Sequence, residues 1–207
     1  MIKIHNLTLS YIKEYNTLMN INCELNGNTF FQGSIDDGTH SLFRVLAKLE
    51  KKYSGSVIID DINLKDIRDK DMNLAYISQE PYLINRDIFF NLYYPLKIRK
   101  LVKSEAKKLV NETINKYIKI FPERINKLNH SEKKIITLLR AMIRKPKYVL
   151  IEDFFTDLDS RYSALANEII TEISQSSIII ACGENIDDCY QTFKKYSLRF
   201  GSLQDIV

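Results

Sequence analysis

The chain has 207 residues, a formal net charge of +4 and 45% hydrophobic residues. A chain of this size can bury a large core, and we expect one domain with a helical sub-lobe. No apolar run approaches the ~18 residues that suggest a membrane span, and residues 1–5 alternate like a strand instead of forming a secretory signal. The composition predicts a cytosolic protein whose contact with a membrane goes through a partner.

The charged and sulfur-containing residues support two further exclusions. Lysines and arginines cluster between residues 97 and 108, but such a run is typical of the solvated face of a helix, so no nucleic-acid partner is expected. The three cysteines are odd in number and lack the pair spacing of a metal site. They indicate reduced thiols, with Cys182 in a core strand.

Along the chain, the hydrophobic pattern alternates between the periods of strands and helices. Residues 1–30 are predicted to form strands and turns, with a hairpin at Asn26-Gly27-Asn28. Further strands are predicted at 56–64, 74–78, 148–152 and 177–182. Helices are predicted at 40–50, through most of 84–145 and at 160–173. A closing hairpin around Gly201 is expected within 196–206. The alternation favours an α/β core with a mostly parallel sheet, into which the helical segment 84–145 is inserted as a lobe.

A strand-like run is followed by a candidate phosphate-binding loop and a helical pattern. Gly33 and Gly38 lie five residues apart. In such a loop, backbone N–H groups and a helix N-terminus bind phosphates, and a lysine after the second glycine reaches the terminal phosphates. Here that residue is Thr39, and Asp36 and Asp37 add negative charge where small neutral residues are usual. Two carboxylates there would repel a polyphosphate, or could occupy the anion site themselves. Taken alone, the motif favours an ordinary glycine-containing turn between a strand and a helix.

Further motifs then arrive in a fixed order. They are Gln79-Glu80-Pro81-Tyr82, Leu128-Asn129-His130-Ser131-Glu132, Arg140-Ala141-Met142 and, at the end of an apolar strand, Glu152-Asp153. This succession resembles the nucleotide-binding subunit of ABC transporters over essentially the whole chain. The resemblance implies one ABC ATPase-type domain over 1–207, with an antiparallel β subdomain. Its P-loop NTPase-like core would cover about 1–83 and 146–207, and its helical lobe about 84–145.

The resemblance also implies a site for ATP in the core. The residues it assigns to nucleotide contact are Tyr11, Gly33, Gly38, Thr39, His40, Ser41, Leu42 and Gln79. Tyr11 would stack on the adenine ring, or else is a strand-end tyrosine with a half-buried ring. His40 takes the position whose hydroxyl would meet Mg²⁺, and an imidazole is a poor ligand for a cation that prefers oxygen. Ser41 could partly substitute, so the sequence leaves Mg²⁺ binding open.

Gln79 matches a glutamine that, in the resembling family, touches the metal or the attacking water and relays the nucleotide state to the membrane subunit. Its surroundings, Glu80-Pro81-Tyr82, are the best preserved of the motifs. We favour the coupling role over the metal role, because coupling needs only a mobile loop.

The segment from Leu128 to Glu132 stands where the family signature Leu-Ser-Gly-Gly-Gln is expected. Its two glycines let the backbone approach a phosphate across a dimer interface, and the side chains of His130 and Ser131 block such an approach. These two residues and Asn129 could still donate hydrogen bonds. We favour a plain helix N-terminus, in which Asn129 and Glu132 form a capping box.

The acidic pair ends an apolar strand, where the resemblance implies a carboxylate that organises the metal and then a general base. Glu152 would contact the metal and Asp153 would be the base, but the family order is aspartate followed by glutamate. Asp153 is one methylene too short, and a misplacement of ~1 Å can cost ~100-fold in rate. Two carboxylates at the end of a buried strand also require a cation or a donor. Downstream, Gly183 stands where a histidine should contact the γ-phosphate.

Together these departures predict a degenerate ATP-binding subunit, with weak ATP binding and weak or absent hydrolysis, because catalysis of this kind is mostly positioning and electrostatic stabilisation. The expected partners are a membrane permease and a sister ATPase, in a hetero- or homodimer at the inner face of the cell membrane. Two alternatives stay open: an active ATPase with atypical site residues, and a regulatory or non-transport protein of the same fold. The transported substrate and the direction of transport cannot be predicted.

Overall fold

The computed structural model describes residues 1–12 and 15–205. The strands are β1 (Ile2–Leu9), β2 (Leu18–Leu25), β3 (Thr29–Gln32), β4 (Ser54–Ile59), β5 (Ile62–Asn63), β6 (Leu74–Ile77), β7 (Tyr148–Glu152), β8 (Ile178–Gly183), β9 (Lys194–Arg199) and β10 (Ser202–Asp205). The α-helices are α1 (Thr39–Leu46), α2 (Ile88–Ile98), α3 (Lys103–Tyr117), α4 (His130–Arg144) and α5 (Ser163–Ser174).

The chain divides into two compact units. The first contains residues 1–76 and 147–153 and the chain from Ile178 onward. The second contains residues 77–146 and 154–177. The second unit therefore includes the predicted helical segment 84–145 together with α5 and the loop that precedes it.

The main sheet of the first unit has the strand order β10-β9-β3-β8-β7-β6 in the described part of the chain. Strand β3 lies between β8 and β9 and runs parallel to both, and β7 runs parallel to β8. Strands β7 and β8 are runs of buried apolar residues, as expected for strands that are covered on both faces. The predicted parallel core is confirmed, as is the closing hairpin, formed by β9 and β10.

The second sheet of this unit is antiparallel and has the order β2-β1-β4-β5. The hairpin predicted at residues 26–28 is wrong, because β2 belongs to this sheet and β3 to the other. The strand predicted at 56–64 is divided into β4 and β5. Between them, Asp60 and Asp61 have φ of 50° and 65°, a left-handed backbone that aspartate tolerates in turns.

An aromatic cluster anchors the end of β3, where the candidate phosphate loop begins. Phe31 of β3 packs edge-on against Phe43 of α1 and stacks on Tyr196 of β9, with ring centroids 6.3 and 5.4 Å apart. Phe31 and Phe43 are fully buried. Buried aromatic pairs of this kind contribute ~0.5–1.5 kcal/mol beyond their burial, so the two elements on either side of the loop are held firmly.

The second unit is helical, as the pattern over 84–145 predicts. Helix α4 packs against α2, α3 and α5 within it. The buried side chain of Asn91 on α2 accepts a hydrogen bond from the amide of Ile84, at 2.8 Å, and donates to its carbonyl, at 2.9 Å. This pair of bonds fixes the segment that leads into α2. No helix in the described residues is long and apolar enough to cross a membrane.

Candidate functional site

The candidate phosphate loop joins β3 to α1. Its first residue, Gly33, donates an amide hydrogen bond to the carbonyl of Gly183 at the end of β8, at 3.0 Å. Gly38 ends the loop with φ of 98°, and a Cβ there would lie 2.7 Å from the carbonyl oxygen of Thr17. Only glycine fits that position without strain. Helix α1 begins at the next residue, so its first amide groups are presented at the loop.

The residue at the position expected for lysine, Thr39, forms a hydrogen bond to the loop. Thr39 is buried, and its hydroxyl donates to the carbonyl of Ser34 at 2.7 Å. This bond joins the first residue of α1 to the second residue of the loop. The loop therefore keeps its shape without the lysine, but that position carries no positive charge.

The carboxylate of Asp37 stabilises the loop from within. Its side chain accepts hydrogen bonds from the amide and hydroxyl of Ser34, both at 2.9 Å, and from the amide of Phe200, at 3.2 Å. Arg199 lies 3.1 Å away and forms an ion pair with it. Burial opposes ionisation, but these bonds and the guanidinium outweigh it and hold the pKa of Asp37 below its usual value. Of the two roles expected for the aspartates, Asp37 fits the second, because its carboxylate accepts the amide of Ser34 within the loop and its charge is paired with Arg199. Asp36 is exposed.

Glu152, at the end of β7, is 3% exposed and is hydrogen-bonded through both carboxylate oxygens. His40, in the first turn of α1, bonds Oε1 through its Nδ1, and the hydroxyl of Tyr76 on β6 donates to Oε2. Burial, followed by the bond to Glu152 and its negative charge, raises the pKa of Tyr76, so this phenol remains a neutral donor. Two protein side chains therefore supply the donors that a buried carboxylate requires.

Asp153, the predicted general base, lies beside the end of β8. Its backbone has φ of 40°, and its amide donates to the carbonyl of Cys182 at 2.9 Å. A Cβ added to Gly183 would lie 3.3 Å from its Oδ1, so the carboxylate occupies space beside the residue that replaces the expected histidine. Burial, with the nearby negative charges of Asp153 and Asp188, raises the pKa of Asp187 to about 6. This edge of the site is acidic.

The remaining predicted contacts of the first unit differ in accessibility. Tyr11 follows β1 and is 54% exposed, so its ring can be reached for stacking, and the alternative of a strand-end tyrosine with a half-buried ring stays open. Ser41 and Leu42 lie in the first turn of α1 and are buried. Leu42 belongs to the apolar core of this unit.

In the second unit, Gln79 lies just after β6 and is partly buried. The carbonyl of Tyr82, three residues on, accepts a hydrogen bond from Arg140 of α4 at 3.0 Å. The Tyr82 side chain is 74% exposed. Glu80 lies 4.0 Å from the imidazole of His130. The backbone of this segment is thus anchored to α4 while the Tyr82 ring faces solvent.

The start of α4 is the predicted capping box. The side chain of Asn129 accepts from the amide of Glu132 at 2.8 Å, and Glu132 accepts from the amide of Asn129 at 2.9 Å. Ser131 is buried, and its hydroxyl accepts from the amide of Asp159 at 2.9 Å. Leu128 is buried as well. The interpretation of this segment as a helix N-terminus is confirmed.

Sequence reasoning did not single out Lys134, which is fully buried on α4. Its ammonium group donates to the carbonyl of Phe154 at 2.9 Å and to that of Thr156. It lies 5.5 Å from the ring centroid of Phe154. A buried lysine is stable only when its charge is solvated by such groups. Lys134 and Ser131 together fix the loop at 154–159 to α4.

A family model described as ABC transporter matches residues 19–155. The chain belongs to the ABC transporter family. Among curated proteins, it is 28% identical over 165 residues to the sn-glycerol-3-phosphate import ATP-binding protein UgpC of Bordetella avium, which covers 77% of this chain and 46% of that protein. It is 25% identical over 212 residues to the ABC transporter ATM1 of Plasmodium falciparum, covering 89% of this chain and 20% of that protein. The chain spans less than half the length of these relatives.

Solved structures of ABC cassettes share the fold. A dimeric post-hydrolysis structure of the cassette MJ0796 bound to ADP and Pi has a TM-score of 0.83 at 17% identity and covers 100% of this chain and 99% of that chain. The structure of cbiO1 from Clostridium perfringens, described as part of the transporter complex cbiONQ, has a TM-score of 0.81 at 17% identity, covering 98% and 86%.

Within the first unit, the ABC fold brings together the predicted phosphate loop, His40, Glu152, Asp153 and Gly183. The residues that sequence analysis missed at this site include Tyr76, Arg199 and Asp187. The signal for Tyr76 in the sequence was a hydroxyl in the strand predicted at 74–78, since a buried carboxylate requires hydrogen-bond donors. The signature-like segment and Gln79 belong to the second unit.

Proposed function

We propose that this ABC-family chain is a degenerate ATP-binding subunit that binds ATP weakly and hydrolyses it very slowly or not at all. The observation that carries the proposal is the phosphate loop, in which Thr39 stands in place of the cation and four amides are already bonded within the protein. Gly38 and the start of α1 retain the geometry that binds phosphates through amide groups. The hydroxyl of Thr39 is hydrogen-bonded to the loop, and this side chain carries no positive charge for the γ-phosphate.

The other end of the site supports slow hydrolysis. Gly183 offers no side chain to the γ-phosphate, and the nearby Asp153 and Asp187 add negative charge where the transition state is also negative. We assign Asp153 to the position of the general base. Its side chain is one methylene shorter than that of the usual glutamate, so its carboxylate would be poorly aligned with the attacking water. Tyr11, Gly33, Ser41, Leu42 and Gln79 remain proposed nucleotide contacts, with the ring of Tyr11 against adenine.

We further propose that the chain acts in the cytoplasm, at the inner face of the membrane, with a permease and a sister ATPase. The exposed Tyr82, on a backbone anchored by Arg140, provides a contact for the permease. The segment from Leu128 to Glu132 would lie opposite the phosphate loop of the sister subunit. Because this chain's own phosphate loop lacks the cation, the sister's loop and acidic pair would supply any turnover.

Two assays on the full chain test the proposal. Calorimetry with ATP in buffer containing Mg²⁺ should show weak but saturable binding. A phosphate-release assay at saturating ATP should give turnover well below ~1 s⁻¹, the low end of ordinary enzymes. Turnover at or above that value would favour the alternative of an active ATPase with atypical residues. Purification from native cells without any membrane protein would favour the regulatory alternative.

A further inference from the structure

A carboxylate at the end of β7 is expected to organise Mg²⁺ in this family, and the residues present do not fit that ion. Mg²⁺ requires oxygen ligands at near-octahedral geometry and gives up its water reluctantly. The carboxylate of Glu152 is 3% exposed, and each of its oxygens is already bonded to another side chain. A cation at this buried carboxylate would compete with His40 and Tyr76 and would have to give up its own water.

The first turn of α1 does not provide the other ligand. His40 stands where a residue with a hydroxyl group is expected, and its Nδ1 is bonded to Glu152. The imidazole therefore lies between α1 and the carboxylate of Glu152. The hydroxyl of Thr39, on its N-terminal side, donates to the carbonyl of Ser34, and Ser41, the substitute expected from the sequence, is buried. A nitrogen ring is a poor ligand for Mg²⁺.

What remains for a polyphosphate is a set of donors that needs no metal. The amides of Gly33, Ser34, Asp37 and Gly38 are already bonded within the protein. The donors we infer for a phosphate are therefore the amide groups at the first turn of α1, which act through the backbone and the helix dipole. The negative charge of Glu152, which a bound Mg²⁺ would otherwise offset, is met by the hydrogen bonds from His40 and Tyr76.

We propose that this chain binds nucleotide without Mg²⁺, because His40 and Tyr76 occupy the carboxylate that would hold the ion. The inference rests on the proposed nucleotide binding and concerns the role of the metal in it.

The test compares the affinity of the purified full chain for ATP and for ADP in Mg²⁺ and in excess EDTA, by calorimetry. The expected dissociation constants agree within about threefold, a difference of ~0.6 kcal/mol. Binding that is at least about tenfold tighter in Mg²⁺ overturns this inference and leaves the proposed nucleotide binding intact. The lack of binding in both buffers overturns the proposed nucleotide binding and this inference with it.

The double change His40→Ser with Tyr76→Phe frees both oxygens of Glu152 and restores a hydroxyl on α1. It should make binding depend on Mg²⁺, with at least about tenfold weaker affinity in EDTA. His5→Ser, the same change at an exposed histidine of β1, is the matched control and should leave the two affinities equal. If the double variant does not fold by circular dichroism, Tyr76→Phe, which frees Oε2 alone, replaces it. A folded variant that stays indifferent to Mg²⁺ overturns the assignment to His40 and Tyr76.

Discussion

Replacing Asp37 by alanine should destabilise the protein far more than the same change at its neighbour. Asp37 is 6% exposed and accepts hydrogen bonds from the amides of Ser34 and Phe200. Hydrogen bonds to a charged group contribute ~1.5–3 kcal/mol, and buried donors left without an acceptor cost ~1–3 kcal/mol each. The ion pair adds little, because the side chain of Arg199 is half exposed and screened by water. We expect the free energy of unfolding to fall by ~2–4 kcal/mol.

Urea denaturation followed by circular dichroism measures this loss, and a thermal melt should show a decrease of roughly 5–15 °C in Tm for a chain of this size. The control is Asp36→Ala, which changes the adjacent, exposed aspartate and should alter stability by no more than ~0.5 kcal/mol. If both variants lose the same small amount, the carboxylate of Asp37 does not stabilise the loop and our account of it is wrong.

The same residue predicts a pH dependence. The pKa of Asp37 in the folded chain lies below the ordinary value of 3.8, so its contribution is fully present above that value. It is lost as the pH falls through the folded pKa, because the carboxylate is then protonated in both states. The stability difference between the wild type and Asp37→Asn should therefore be constant near neutral pH and shrink in acid. A difference that grows in acid would contradict the assigned direction.

Three further outcomes are expected. Thr39→Lys, with Asp37 retained, should tighten ATP binding by about tenfold or more in calorimetry, because a lysine pairs with the terminal phosphates. Thr39→Met is the uncharged control of similar length. Equal ATP affinities of the two variants would refute the charge argument. Gly38→Ala should lower the free energy of unfolding by ~1–3 kcal/mol, since its backbone is left-handed; a Tm equal to that of Gly27→Ala, where nothing lies within 4 Å of the new Cβ, would contradict this. Tyr82→Asp should reduce recovery of the permease in co-purification while circular dichroism stays unchanged, and equal recovery would exclude Tyr82 from the contact.

The sequence predicted the parallel strands and the helices well, because each has a clear period and burial requirement. Strands β7 and β8 are apolar runs with β-branched residues, and α4 begins with a capping pair that is local in sequence. The hairpin at residues 26–28 failed for a physical reason. A turn signal specifies that the chain reverses, but it does not specify that the two flanking strands pair with each other, and β3 pairs with β8 and β9.

At the site, the sequence identified the unusual residues but not the bonds that explain them. Asp37 was expected to repel a ligand, yet its partners Arg199 and Phe200 lie more than 160 positions away along the chain. Glu152 was known to need a donor, and the strand order that brings Tyr76 close to it was not predictable in detail. Such contacts between distant segments depend on sheet order and register, which local patterns do not encode.

The internal carboxylate of the phosphate loop has a consequence for the entropy of ligand binding. A loop that becomes ordered only when its ligand binds loses backbone entropy at that step, ~1–2 kcal/mol for each residue. Here the hydroxyl of Thr39 and the carboxylate of Asp37 hold the loop through hydrogen bonds within the protein. Asp37 also connects the loop to the β9–β10 hairpin through Arg199 and Phe200. The loop is thus preorganised in the absence of nucleotide. Its amides should exchange slowly with solvent deuterium in the unliganded protein, and nucleotide should change that exchange little.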